Sequence, residues 1–116
     1  STSTAAFVQY FQHKGITVAS VGATGTVKFA CSYQDSIPDL SAAVSSTNAY
    51  DFVDITDVED GASIDGDTGL TLGNTTEIRQ FSVLGLGFTW CGAYWTPGAS
   101  NSGGTVDIKL KPTDNQ

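Results

Sequence analysis

The window 79–95 most constrains what this chain can fold into. It reads Arg-Gln-Phe-Ser-Val-Leu-Gly-Leu-Gly-Phe-Thr-Trp-Cys-Gly-Ala-Tyr-Trp and holds both tryptophans, two of the six phenylalanines and one of the two cysteines. Aromatic and β-branched residues interrupted by glycine favour strand over helix. Gly85 and Gly87 flank Leu86 and divide the window into strands predicted at 77–83 and 88–96, the second ended by Pro97-Gly98. With a period of two, Leu86, Phe88, Trp90, Gly92 and Tyr94 share one side; Thr89, Cys91, Ala93 and Trp95 share the other. The first set carries more large side chains and is the expected core face. Each aromatic ring buries roughly 150–250 Å², so this pair of strands is expected to supply much of the core.

The rest of the chain follows the same two-residue rhythm. The segment 25–34 alternates Val27, Phe29, Cys31 and Tyr33 against Thr26, Lys28, Ala30, Ser32 and Gln34, as a sheet with one dry and one wet face requires. Residues 105–111 alternate Val106, Ile108 and Leu110 against Asp107, Lys109 and Lys111. Shorter strands are predicted at 16–21, ended by Gly22, and at 50–56. A hairpin is predicted over 62–72 across Asp65-Gly66. The long connection 35–48, with Pro38 and a serine cluster, is expected to be a functional or self-packed Ω-loop, with room for one helical turn at 40–44. About eight short strands at roughly ten-residue spacing predict an all-β single domain, a β-sandwich or jelly roll. Residues 1–14 read as an N-terminal arm with a short strand, and 15–116 as the β-sandwich domain.

Charge narrows the partners. Five Lys and Arg stand against twelve acids, a net charge of -7. A phosphate backbone or an anionic membrane surface is repelled by that balance, so no nucleic acid and no membrane partner is expected. There is no apolar run near 18 residues. The opening Ser-Thr-Ser-Thr-Ala-Ala lacks the basic start and apolar stretch of a signal peptide.

The acidic segment 54–67 offers Asp54, Asp57, Glu59, Asp60, Asp65 and Asp67 as oxygen ligands for Ca²⁺. It fails the EF-hand pattern, with Gly69 and Thr76 where ligands are needed. Solvated turn carboxylates are the simpler reading, and no metal or other cofactor is expected. The one histidine, His13, lies in the arm, and no serine stands in a nucleophile-elbow context. The expectation is therefore a non-enzyme. A Cys31–Cys91 disulfide would stabilise by roughly 4 kcal/mol in the chain-entropy model. The predicted faces place the two sulfurs apart, however, which favours two reduced thiols packed as small apolar groups. Tyr50, Tyr94 and Trp95 are candidates for a sugar-binding platform, with core or interface packing as the plainer alternative. Asn74-Thr75-Thr76 matches the N-glycosylation pattern.

Phe7, Tyr10 and Phe11 fall within five residues of the arm. Together with Trp95 they are the interface candidates. Left in water they would form an apolar patch, so they are expected to fold back on the domain or to anchor it to a neighbour.

The order of short motifs carries a family resemblance. It runs Thr24-Gly25-Thr26-Val27-Lys28-Phe29, Ser32-x-x-Asp35-x-x-Pro38-Asp39, Ser46-Thr47-Asn48-x-Tyr50-Asp51-Phe52-Val53, Asp65-Gly66-Asp67-Thr68-Gly69, Arg79-Gln80-Phe81-x-Val83, Trp90 and Gly104-Thr105-Val106. Over about residues 24–110 this order resembles small phage and prophage virion structural proteins. The resemblance implies a β-sandwich or jelly roll in an accessory role such as head decoration. It implies a cement protein on the outer surface of a capsid, in many copies or as a homo-oligomer, with the major capsid protein or other virion proteins as partners. Tail or head-fibre component, carbohydrate-binding module and extracellular filament subunit are the alternative expectations.

Overall fold

The computed structural model describes residues 2–8, 13–84 and 88–113. They form one antiparallel sheet of eight strands: β1 (Thr2–Phe7), β2 (His13–Ser32), β3 (Asp51–Phe52), β4 (Ile55–Asp57), β5 (Ser63–Ile64), β6 (Leu70–Leu84), β7 (Trp90–Pro97) and β8 (Thr105–Thr113). The all-β expectation holds. The segments expected as separate strands at 16–21 and 25–34 are one long strand, β2.

β2 is the axis of the sheet. Along one flank it pairs with β8 over 13–21 and then with β7 over 25–32. Along the other it pairs with β6 from His13 to Val27 and then with β3 at Ala30 and Cys31. β1 lies beyond β7, and β4 and β5 lie beyond β6. The strands expected to be a pair, β6 and β7, therefore flank β2 on opposite sides.

The glycine read as a strand end is a bulge. Gly22 takes φ 60°, Asn74 on the facing strand takes φ 62°, and the register skips both residues. A left-handed φ costs glycine little and asparagine less than most residues. One extra residue on each strand exchanges which parity faces inward. On β2 the buried residues are Lys14, Ile16, Val18 and Ser20 before the bulge and Ala23, Val27, Phe29 and Cys31 after it. On β6 they are Leu70 and Leu72 before it and Phe81 and Val83 after it. The same face thus stays dry along both strands.

The sheet also folds back on itself. Phe81 pairs with Ile16, and Phe29 lies beyond the bulge on the same strand. Thirteen residues of straight strand would separate Ile16 from Phe29 by about 43 Å. Yet the Phe29 and Phe81 ring centroids are 5.7 Å apart, in one cluster with Val18, Val27, Ile55, Leu72, Ala93 and Ile108.

Several expected positions are corrected. On β7 the buried side chains are Cys91, Ala93 and Trp95, whereas Trp90 and Tyr94 are half-buried on the opposite face. Phe29 lies opposite Ala93 in the register, so the inner side there needs a small residue and the larger rings turn outward. The face reversal brings Cys31 and Cys91 directly opposite each other with Cα atoms 4.1 Å apart, and they are bonded. The expectation of reduced thiols is overturned for that reason. Tyr33 lies past the end of β2 and is exposed. The 50–56 strand is broken into β3 and β4. The hairpin is β4–β5, and Gly66 serves a close approach instead: a Cβ there would lie 2.0 Å from the Val53 carbonyl oxygen. β1 pairs in register with β7 from Thr2↔Trp95 to Phe7↔Trp90, and β2 begins at His13. Strand pairing therefore runs through the segment read as an arm and across its boundary at residue 14. No helical turn forms at 40–44.

Phe81 is 1% exposed, whereas Phe88 is half-buried. Phe81→Ala is expected to destabilise by about 3–5 kcal/mol and Phe88→Ala by distinctly less, as read from urea unfolding; equal losses would contradict the assigned core. Replacing both cysteines by alanine is expected to cost roughly 4 kcal/mol, and an unchanged urea midpoint would contradict the cross-strand bond.

Candidate functional site

Among the described aromatic residues only Phe29, Phe81 and Trp95 are buried. The Trp95 indole Nε1–H donates to the Thr24 carbonyl at 3.0 Å, so this interface candidate is held within its own chain's core. Phe7 is 52% exposed and packs edge-on against Trp90, with ring centroids 5.5 Å apart. Tyr10 and Phe11 lie outside the described residues.

Four of the remaining rings gather at one end of the sheet, where β2 stops and β3 pairs with it. Tyr33 and Phe88 stack with centroids 4.6 Å apart, and Tyr50 meets Phe52 edge-on at 5.8 Å. These four rings line a cleft of about 360 Å³, together with Gln34, Asp51 and the chain at Ala49. Clefts of this size suit small ligands, and rings with a few polar groups are their usual lining. No Lys, Arg or His lines it among the described residues.

The 35–48 connection supports this cleft from behind, packed on itself as an Ω-loop. Asn48 ties it together: its Oδ1 accepts from the Asp39 N–H at 2.8 Å, and its Nδ2 donates to the carbonyls of Asp39 and Ala43 at 2.9 and 3.2 Å. The Tyr50 hydroxyl donates to the Ala42 carbonyl at 2.8 Å, which fixes the ring against the loop. The Gln34 Oε1 accepts from the Ala49 N–H at 2.7 Å, and the Ser32 hydroxyl donates to the Ala49 carbonyl. Trp90 Nε1–H donates to the Asp35 carbonyl at 3.3 Å, joining β7 to the start of the loop.

The acidic segment is put to structural use. Asp57 is 5% exposed and accepts from the Arg79 guanidinium, which also lies over the Phe81 ring. Asp60 and Asp65 accept from the backbone N–H two residues on, each at 2.9 Å, as turn-forming aspartates do. No three potential metal ligands come together among the described residues. His13 opens β2. Three of the chain's five basic residues, Lys14, Lys109 and Lys111, line a separate hollow of about 560 Å³ over β2 and β8. Lys14 is fully buried, and desolvation lowers its pKa.

The sequence offers signals for part of this arrangement. Tyr50 was a candidate for a sugar platform and does line the cleft, but Tyr94 and Trp95 are elsewhere. In the sequence pattern Phe88 belongs to the core face of its strand, Tyr33 to the face of Phe29 and Phe52 to the 50–56 strand, and none of them reads as a site residue. Exposed rings at a strand terminus, where alternation has no further strand to obey, were the available clue.

No protein-family model, curated protein or solved structure matches the chain.

The Arg79 hydrogen bond, with help from the Glu59 backbone N–H, holds the Asp57 carboxyl below the ordinary aspartate value of 3.8. A carboxyl depressed in the folded state stabilises the fold above its unfolded pKa and loses that contribution as pH falls through the folded value. Stability is expected to decline as the medium is acidified below that ordinary value, and Arg79→Met is expected to move the decline to higher pH. Urea midpoints measured from about pH 5 down to about pH 2 check this; superimposable acid limbs in the two proteins would contradict it.

Proposed function

We propose that this chain is a structural protein of a phage virion: a head-decoration, or cement, protein that bridges neighbouring capsid subunits, and that its folded sheet is a two-layer β-sandwich. The observation that carries the reading is the state of β1. Its one strand partner among the described residues is β7, and it carries the half-exposed ring of Phe7 at its end. An end strand whose second edge pairs with no other strand among the described residues, and which carries an aromatic anchor, suits docking onto a neighbouring subunit, by strand addition or by seating the ring in a pocket.

The order of sequence motifs supports the virion assignment, and the net charge of -7 supports a place on the outside of the shell, away from packaged nucleic acid. The mechanism is mass action. A contact made only between assembled subunits stabilises the shell relative to free subunits, and each buried ring contributes about 1.5–3 kcal/mol. Repetition over many copies makes that small contribution decisive.

Quantitative mass spectrometry of gradient-purified particles tests the proposal. The expected result is a fixed, high ratio of this chain to the major shell protein. Phe7→Ser, at an exposed position, is expected to leave the fold intact and lower the ratio. A chain absent from the particles would end the proposal, and a few copies per particle would indicate a tail or fibre component instead.

A further inference from the structure

We infer that the cleft formed by Tyr33, Tyr50, Phe52 and Phe88 beside Asp51 binds a methylated or quaternary ammonium group. The site is independent of the virion reading: neither Phe7 nor any other residue of β1 lines it.

The argument begins with the shape of the charge. Aromatic faces carry negative potential and attract an organic cation that sheds its water, and clustered rings are the usual receptor for ammonium groups bearing methyls. This cleft brings four rings together, in a stacked pair and an edge-on pair, on about 360 Å³ of open volume. A carboxylate stands with them. One oxygen of Asp51 accepts from the Phe52 N–H at 2.9 Å, which fixes the group at the cleft, and the residue is exposed.

One of the rings already attracts a cation within the fold. Lys28 Nζ lies 5.5 Å from the Phe52 centroid while it is ion-paired with Asp67 at 3.6 Å. The chain also separates its charges. Lys14, Lys109 and Lys111 line the other hollow, whereas at this one the neighbouring ammonium, Lys28 beside Phe52, is paired with Asp67. An anionic ligand would be drawn to the first; a cation meets attraction from rings, carboxylate and net charge together at the second. A neutral sugar would use the rings but would gain nothing from the charge.

The hydrogen bonds behind the cleft make the site rigid before a ligand arrives. The Tyr50 hydroxyl and the Gln34 side chain are fixed by the Ω-loop, so little side-chain freedom is lost on binding.

The test is an amide-resolved NMR titration of the full chain with choline chloride, sodium chloride held constant. The neutral isostere 3,3-dimethylbutan-1-ol and methyl glucoside are titrated in parallel. Saturable shifts are expected at residues 33–34 and 49–53 with choline, at least tenfold tighter than with the isostere. Asp51→Asn is expected to weaken choline at least threefold and to leave the isostere unchanged. Tyr33→Leu, which keeps an apolar side chain and removes the ring, is expected to weaken choline as well and stands in if the first variant fails to fold. Equal affinity for choline and the isostere would overturn the inference in favour of a merely apolar hollow. Tighter binding of the glucoside would overturn it in favour of a sugar site, and no saturable shift with choline would overturn it outright.

Discussion

A long strand that serves two parts of a core must keep its apolar side chains on one face along its whole length, and everything in this structure depends on how β2 and β6 do so. Each carries one extra residue at the same place, Gly22 on one and Asn74 on the other. Without that pair of insertions, the alternation on either side of the bulge would put one half's core residues into water. With it, Ile16 and Val18 share a dry face with Val27 and Phe29. The bulge also strengthens local twist and bend, which is what lets Phe29 reach Phe81.

The close approach of the two parts then decides what fills the space between them. Phe29 and Phe81 occupy the middle, and β7 answers with Ala93 opposite Phe29 and with a disulfide at the Cys31–Cys91 pair. Large rings that would overfill this layer are turned out. Trp90 finds Phe7 and the Asp35 carbonyl, and Phe88 finds Tyr33. The surface rings that support both proposals follow from a core with room for few of them.

Much of the sheet was legible because alternation is a local signal. Val27 and Phe29 faced inward as read, and so did Ile108. What failed depended on partners remote in sequence. The larger side chains of β7 favour one face, but the facing Phe29 requires small residues on the inner face, and no window on β7 contains that information. The disulfide was lost with the same face, since the two cysteines meet only when Cys91 points inward. Gly22 reads locally as a strand end; only the matching Asn74, some fifty residues on, shows that the strand continues through it. Lys14 broke the pattern in another way, as a charged residue on the buried face of β2. In the candidate cleft, Tyr50 was noticed from its residue type, whereas Tyr33, Phe52 and Phe88 become neighbours only through the β2–β3 pairing and the fold of the 35–48 loop.

The fold-back of the sheet across its paired bulge is most directly tested by nuclear Overhauser contacts in the full chain with selectively labelled phenylalanine. Cross-peaks between the Phe29 and Phe81 rings are expected, alongside those between Ile16 and Phe81 that the strand register alone requires. A spectrum with the Ile16–Phe81 contacts and without any between Phe29 and Phe81 would describe a sheet that does not fold over, and would contradict this account of the core.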